Sequence, residues 1–423
     1  MEKSDRKSVA DTEKQTPRGG APIKLWNGSF ILLLQGFAFS TIGNVLYSIA
    51  IGIWVYQKTG STALMGTMSS ISYFASLFLQ PFGGVLADRL DKRMLIVGAD
   101  AARGTAMLFL GWFAFRGTMA VWQVLAVSVL AAVCNIGFSP AASAAVSLLV
   151  PQNELMRANS MMSGARSLIG LIGNAVSGFL VAAFGVPLMI VLNGISFLVS
   201  ALTEIFIAIP ATVHSAAAPT PCALLRELGE GFRYLKNSIG VLPLLLVGAA
   251  VNLFCGGFGG VAYVWCLKKG MDVQQYGLFL GVESFAALGA TLLLAAVPIA
   301  PRYRWKLMAG GCAIQSVFYI GAMAVTGFWL CAVLYGINAF FNGITNMMMY
   351  PAMISLTDEA YRGRVIALSG ALCDGGTALS MVLYGALSQW LGVVPVALAG
   401  AVLTAVAYAF FAANPALRRV LEA

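Results

Sequence analysis

Six charged residues stand inside apolar runs: Asp100, Arg103, Arg166, Glu204, Glu283 and Asp374. A charge at the centre of a bilayer costs roughly 2.5–3.5 kcal/mol on insertion scales, so such residues face protein or water and mark function. A carboxylate in a water-poor cavity can exchange a proton, and a guanidinium can bridge to it or hold an anion. Arg166, Glu283 and Asp374 each lie roughly nine or ten residues from the nearest loop, which is about 14 Å at 1.5 Å per residue and close to mid-membrane. Arg166 can pair with Glu283 or with Asp374, as a fixed bridge or as a switch that breaks on protonation; the sequence does not choose. Asp100 and Arg103 are three apart on one helical face, near a basic loop that they are expected to brace. Glu204 lies six residues before Pro210 and is expected to reach interfacial water or a base such as Arg226.

A second set is polar but uncharged. Gln35, Asn44, Tyr47, Gln80, Asn135 and Asn252 are cavity candidates, as are Asn338, Asn342 and Asn346, which recur every four residues. Such a stripe either faces a wet cavity or joins helices. Beside it, Met347, Met348 and Met349 offer soft, adaptable surface for varied apolar shapes. Gly170, Gly173 and Gly178, with Asn174 among them, have the small-residue spacing that lets two membrane helices approach closely.

The chain that must position these groups has 423 residues, 59% hydrophobic and 10% charged. Soluble domains carry roughly 25% charged residues, so the composition is that of a multi-pass membrane protein. Twelve apolar runs are long enough to span, at about 20 residues each: 27–56, 62–87, 94–115, 120–149, 157–184, 187–209, 240–266, 273–299, 305–326, 328–356, 363–391 and 393–414. The expected organisation is a disordered tail (1–26), a six-helix bundle (27–209), a polar linker with a surface amphipathic helix (210–239), a second six-helix bundle (240–414) and a short tail (415–423). With both termini cytoplasmic, twenty of the 26 bases fall on the inner side, and only Lys58, Arg116, Lys268 and Lys269 fall outside. That asymmetry orients the chain. The net charge of +9 is therefore an orienting and lipid-facing charge rather than a nucleic-acid footprint. The halves also echo each other: Gly178 to Gly185 resembles Gly385 to Gly392, and Gly66, Phe74 and Ala75 fall opposite Gly277, Phe285 and Ala286. This is the mark of a duplicated transporter.

Between the second and third runs lies Gly84-Val-Leu-Ala-Asp88-Arg89-Leu-Asp91-Lys92-Arg93. Through Gly84, Leu86, Ala87, Asp88, Arg89, Lys92 and Arg93 it resembles the signature loop of the major facilitator superfamily. Asp91, where the pattern has glycine, is similar to the drug/proton antiporter branch that contains macrolide-efflux and enterobactin-export proteins. The resemblance implies an all-α fold of twelve transmembrane helices in two pseudo-symmetric halves, with spans 1, 2, 4, 5, 7, 8, 10 and 11 lining a central cavity. It also implies that Asp88 caps a helix start near Arg362 to Arg364 at the inner gate. Two departures stand out. Gly173 is followed by Asn174 where the family's antiporter motif has proline, and span 4 lacks the arginine common in proton-coupled members.

Enzyme chemistry has little to work with: there is one histidine, His214, and no Walker, HExxH, GxSxG or CxxC pattern. The seven cysteines are expected to be reduced thiols, and no cofactor or metal is expected. The resulting expectation is a monomeric carrier in the bacterial inner membrane that exports an amphipathic small molecule in exchange for protons. A proton-coupled or facilitative carrier of a small solute or lipid-like metabolite is the alternative.

Overall fold

The structure, a computed structural model, describes residues 25–209, 229–230, 232–236, 238, 240–297 and 299–413. The helices are α1 (Gly28–Thr59), α2 (Thr62–Arg89), α3 (Lys92–Phe115) and α4 (Val121–Leu149), then α5 and α6 as the two arms (155–184 and 186–204) of Leu155–Glu204. The second half holds α7 in two pieces (Val241–Cys255 and Phe258–Lys268), α8 (Val273–Ala296), α9 (Pro301–Ala324), α10 (Phe328–Ser355), α11 (Arg362–Leu391) and α12 (Val393–Ala413). Among the described residues, eleven segments are long and apolar enough to cross a membrane. One of them is the broken Leu155–Glu204 segment, so the crossings number twelve, as expected.

Local chemistry sets the helix ends. Asn27, Ser61, Asp91 and Asp272 each accept a hydrogen bond from the backbone N–H three residues on, satisfying donors that a helix start leaves free. Asp91, the departure from the signature pattern, is thus the N-cap of α3, its Oδ1 2.8 Å from Met94 N. Between α5 and α6 the chain reverses at Gly185 (φ 76°, ψ 169°), a backbone state open to glycine alone, and Pro187 follows.

The expected span over 240–266 is one span, Val241–Lys268, whose helix is interrupted by a turn at Gly256 and Gly257. Three side chains of α11 fill the break: Ser380 Oγ accepts from Gly257 N at 2.8 Å, Tyr384 OH donates to Phe254 O at 2.5 Å, and Thr377 donates to Asn252 Oδ1 at 3.1 Å. Irregular backbone survives at membrane depth only where neighbours satisfy it in this way.

Among the described residues three cores hold the helices together. One runs across both halves, joining Ile53, Met65 and Met107 to Trp265, Phe279 and Tyr384. The other two are confined to single halves: Phe30, Ile96 and Ala145 in the first, and Leu244, Trp305 and Phe411 in the second. Lipid tails are as apolar as these side chains, so close packing rather than hydrophobicity joins the helices. Large exposed residues such as Trp390, Trp329 and Phe410 face outward accordingly.

Residues 1–24 of the first tail, the second tail, His214, Cys222 and most of the linker lie outside the described residues. The end of the linker docks on the second half: Glu230 pairs with Arg364 at 3.2 Å, and Tyr234 stacks on Tyr361 at 4.3 Å.

Candidate transport cavity

The two halves meet along two seams at one end. In the first seam Gly178 of α5 lies against Gly277 of α8; a Cβ added at Gly178 would sit 3.0 Å from the Gly277 Cα. In the second, Gly385 of α11 lies against Gly66 of α2, where an added Cβ would come 3.1 Å from the Gly66 Cα. Polar stitches accompany both seams. Asn174 Nδ2 donates to Ser284 Oγ at 3.0 Å, and the Thr62 hydroxyl donates to Gly385 O at 2.8 Å. Gly173 packs on Val45 of α1, while Gly170 faces open space. This end carries the turns at Gly60, Gly117, Gly185, Gly270, Gly327 and Gly392, all at positive φ. At the opposite end, which carries the basic loops, the halves keep separate cores.

From the seams toward that basic end runs a cavity in the wall of the first half. Its deeper part, about 530 Å³, is lined by Asn44, Tyr47, Ser69, Ser72, Ser76, Gln80 and Asn135. Its outer part, about 600 Å³, adds Phe37, Asn159 and Arg166, and the two parts share Asn44, Ser48, Arg103, Asn135 and Ser139. In the second half a smaller cavity of about 200 Å³ is lined by Asn252, Asn346, Met349, Tyr350 and Cys373. Asn44 and Asn135 thus line the first-half cavity, and Asn252 and Asn346 the smaller one. Asn342 accepts from Asn346 Nδ2 at 2.8 Å, Asn338 is half-buried, and Gln35 is exposed and lines none of these three cavities.

The charged residues divide differently from expectation. Arg166 opens into the outer cavity with its guanidinium 5.1 Å from the Phe37 ring. No ion pair joins it to Glu283 or Asp374 among the described residues. Asp374 faces Ser76 and Tyr73 of α2 across the interface. Glu283 sits against Tyr335, whose hydroxyl is 3.5 Å from its Oε1. Around that pair gather Phe258, Phe279 and Tyr319, with ring centroids 4.5–6.1 Å from the Tyr335 ring.

Asp100 and Arg103 pair with each other rather than with the signature loop. Glu204, expected to reach water, is fully buried, because it packs over Gly36 of α1, which leaves it room. In the signature loop Arg89 and Arg93 are exposed and Lys92 is partly so; the side chains of Asp88 and position 84 lie outside the described residues. The serine stripe of α2 was not singled out from the sequence, and Arg103 was expected to brace the basic loop rather than to line a cavity. Ser69, Ser72 and Ser76 fall at helical spacing and were the available signal.

A helical, two-half membrane protein with a cavity in the wall of each half has the architecture of a transporter. The family profile of the Major Facilitator Superfamily matches residues 32–267, and the chain belongs to that superfamily. Among curated relatives, macrolide efflux protein A of Streptococcus pyogenes is 23% identical over 381 residues, covering 87% of this chain and 91% of that protein. The enterobactin exporter EntS of Shigella flexneri is 26% identical over 371 residues, covering 84% and 83%. Among solved structures, a bacterial homolog of the human lysosomal transporter Spinster, inward-facing and unoccupied, superimposes with a TM-score of 0.72 at 15% identity, covering 96% of this chain and 99% of that one. The protein is thus a multi-pass membrane transporter and not an enzyme.

Proposed function

We propose that this protein exports an amphipathic small molecule from a bacterial cytoplasm by alternating access, in exchange for protons. The observation that carries the reading is the asymmetry of the interface: cavities in the walls of two halves that touch through glycine seams at one end and keep separate cores at the basic end. The positive-inside rule assigns the basic end to the cytoplasm, so the state described is inward-facing, ready to load. Rocking about the cavity would close the basic end and part the seams. Hydroxyl and amide groups along one wall and Met349 and Tyr350 in the other suit a cargo with both polar and apolar faces. The names of the relatives, macrolide efflux protein and enterobactin exporter, support export as the direction. Glu283 and Asp374, acids without a base partner among the described residues, are the candidates for proton exchange, and the signature loop with Asp88, Arg89, Lys92 and Arg93 for gating. The transporter would act as a monomer.

The test is accumulation of labelled macrolide and of a fluorescent dye in an efflux-deficient bacterium, comparing the protein with its Glu283→Gln and Asp374→Asn variants. Accumulation should fall with the parent, and recover when a protonophore is added or the coupling acid is replaced. Accumulation that stays low under the protonophore would reject proton exchange. No lowering for any probe would reject broad export in favour of a narrow metabolite carrier.

A further inference from the structure

The first half contains a charged cluster that reaches from the cavity wall into the interior between α3 and α6. Asp100 and Arg103 of α3 and Glu204 of α6 are 0%, 5% and 0% exposed. Arg103 pairs with Asp100 Oδ1, and its Nε donates to Ala99 O at 3.2 Å. Its guanidinium is held between the rings of Phe138 and Phe197, 4.6 and 4.5 Å from their centroids. The Ser200 hydroxyl donates to Glu204 Oε1 at 3.1 Å and also neighbours Asp100. Glu204 in turn lies within electrostatic reach of both Asp100 and Arg103. From α4 the Cys134 thiol faces the pair. From α1 Gly36 approaches closely, and an added Cβ there would come 2.7 Å from Glu204 Oε1.

The charge count does not close. Two carboxylates face one guanidinium, and the remaining oxygens, Asp100 Oδ2 and Glu204 Oε2, are buried without a hydrogen-bond partner. A buried carboxylate left unpaired is strongly disfavoured. One proton removes the excess charge and turns an orphan acceptor into a donor for its neighbour.

We propose that Asp100, Glu204 and Arg103 form a proton-binding site in the first half, in which the two carboxylates share one proton and Arg103 reports its presence to the cavity wall. The link to the cavity is geometric: Arg103 lines both cavity parts together with Asn44 and Asn135. With the proton bound, Arg103 is matched one-to-one by a single ionised acid and stays between its two rings. With the proton released, the second carboxylate competes for the guanidinium and draws it from that stack, changing the wall on which cargo rests. The site is built from α3 and α6, helices expected to lie outside the ring that lines the cavity. It rests on the proton-exchange reading above, and it places one proton in the half opposite Glu283 and Asp374.

Infrared spectroscopy of the purified full-length protein in lipid nanodiscs tests it, through the carbonyl band of a protonated carboxylic acid at neutral pH. The expected result is a band, shifted in heavy water, that Glu204→Gln or Asp100→Asn abolishes and that Glu283→Gln leaves in place. Ser200→Ala keeps all three charges and should displace the band, which covers the case in which a charge variant fails to fold. A spectrum in which none of Glu204→Gln, Asp100→Asn and Ser200→Ala alters a protonated-acid band would overturn the proposal. The two readings fail separately: the band in a protein whose export ignores a protonophore keeps the site and removes antiport, whereas protonophore-sensitive export without the band does the reverse.

Discussion

The two ends of the bundle are held by different means. At the seam end the halves meet backbone to backbone, Gly178 on Gly277 and Gly385 on Gly66, with one hydrogen bond from Asn174 and a few from Thr62, to Gly385 O and Gln389 Oε1, beside them. At the basic end each half keeps its own core, and the charged groups pair without joining one half to the other: Asp100 with Arg103 in the first half, and Glu230 of the linker with Arg364 of the second. Contacts between halves that use small residues and few polar bonds can form and part at modest cost. Ionic clusters within a half hold that half rigid while it moves. The difference suits rocking of two stiff bodies over a separable seam.

The largest effect should come from filling a seam. Gly178→Leu or Gly385→Leu puts side-chain atoms where the partner backbone lies, and overpacking of this kind costs roughly 1–3 kcal/mol. Export should fall more than tenfold, a change of about 1.4 kcal/mol or more in the relevant equilibrium, and spin-label distances across the seam end should lengthen. Unchanged distances would mean that the seam is not a close contact. Next comes Gly185→Ala, which forces a Cβ into a positive-φ position at a cost on the order of 1–3 kcal/mol. It should lower the melting temperature, whereas Gly170→Ala, with open space around it, should leave melting and export unchanged. Removing a stitch is milder: Asn174→Ala or Thr62→Val should weaken the seam by about 0.5–1.5 kcal/mol, read as a shift toward the outward-open population in the same distance measurement. The smallest effect belongs to Arg364→Ala at the linker. Its pair with Glu230 is 33% and 40% exposed, and such pairs contribute about 0.2–1 kcal/mol. A larger loss of stability there would mean that the linker dock matters more than its ionic contact.

The sequence carried the seams in part. Gly178 matches Gly385, and Gly66 matches Gly277, when the halves are aligned. The structure pairs them crosswise, because a two-fold relation sets each repeat's copy against the other repeat's partner. Twelve spans and the polarity of the loops were legible because length and charge are local properties. The break in α7 was not, since the groups that stabilise it, Ser380 and Tyr384, come from α11 more than 120 residues away. Spacing put Asp100 and Arg103 on one face, but nothing near them in sequence announced Glu204 as the third member. Arg166 illustrates the same limit. Its depth in the membrane could be counted from the loops, while its neighbour Phe37 could not.

The six positive-φ turns have a consequence for tracing descent. Gly60 and Gly270 lie 210 residues apart, as do Gly117 and Gly327, and Gly185 and Gly392 lie 207 apart. What is constrained at these points is the sign of a backbone angle, which almost any side chain would violate. Cavity residues are free to diverge as cargo changes, but a turn of this kind has almost no alternative spelling. Spaced glycines of this sort form a ruler for recognising an ancient gene duplication in chains whose functional motifs have worn away.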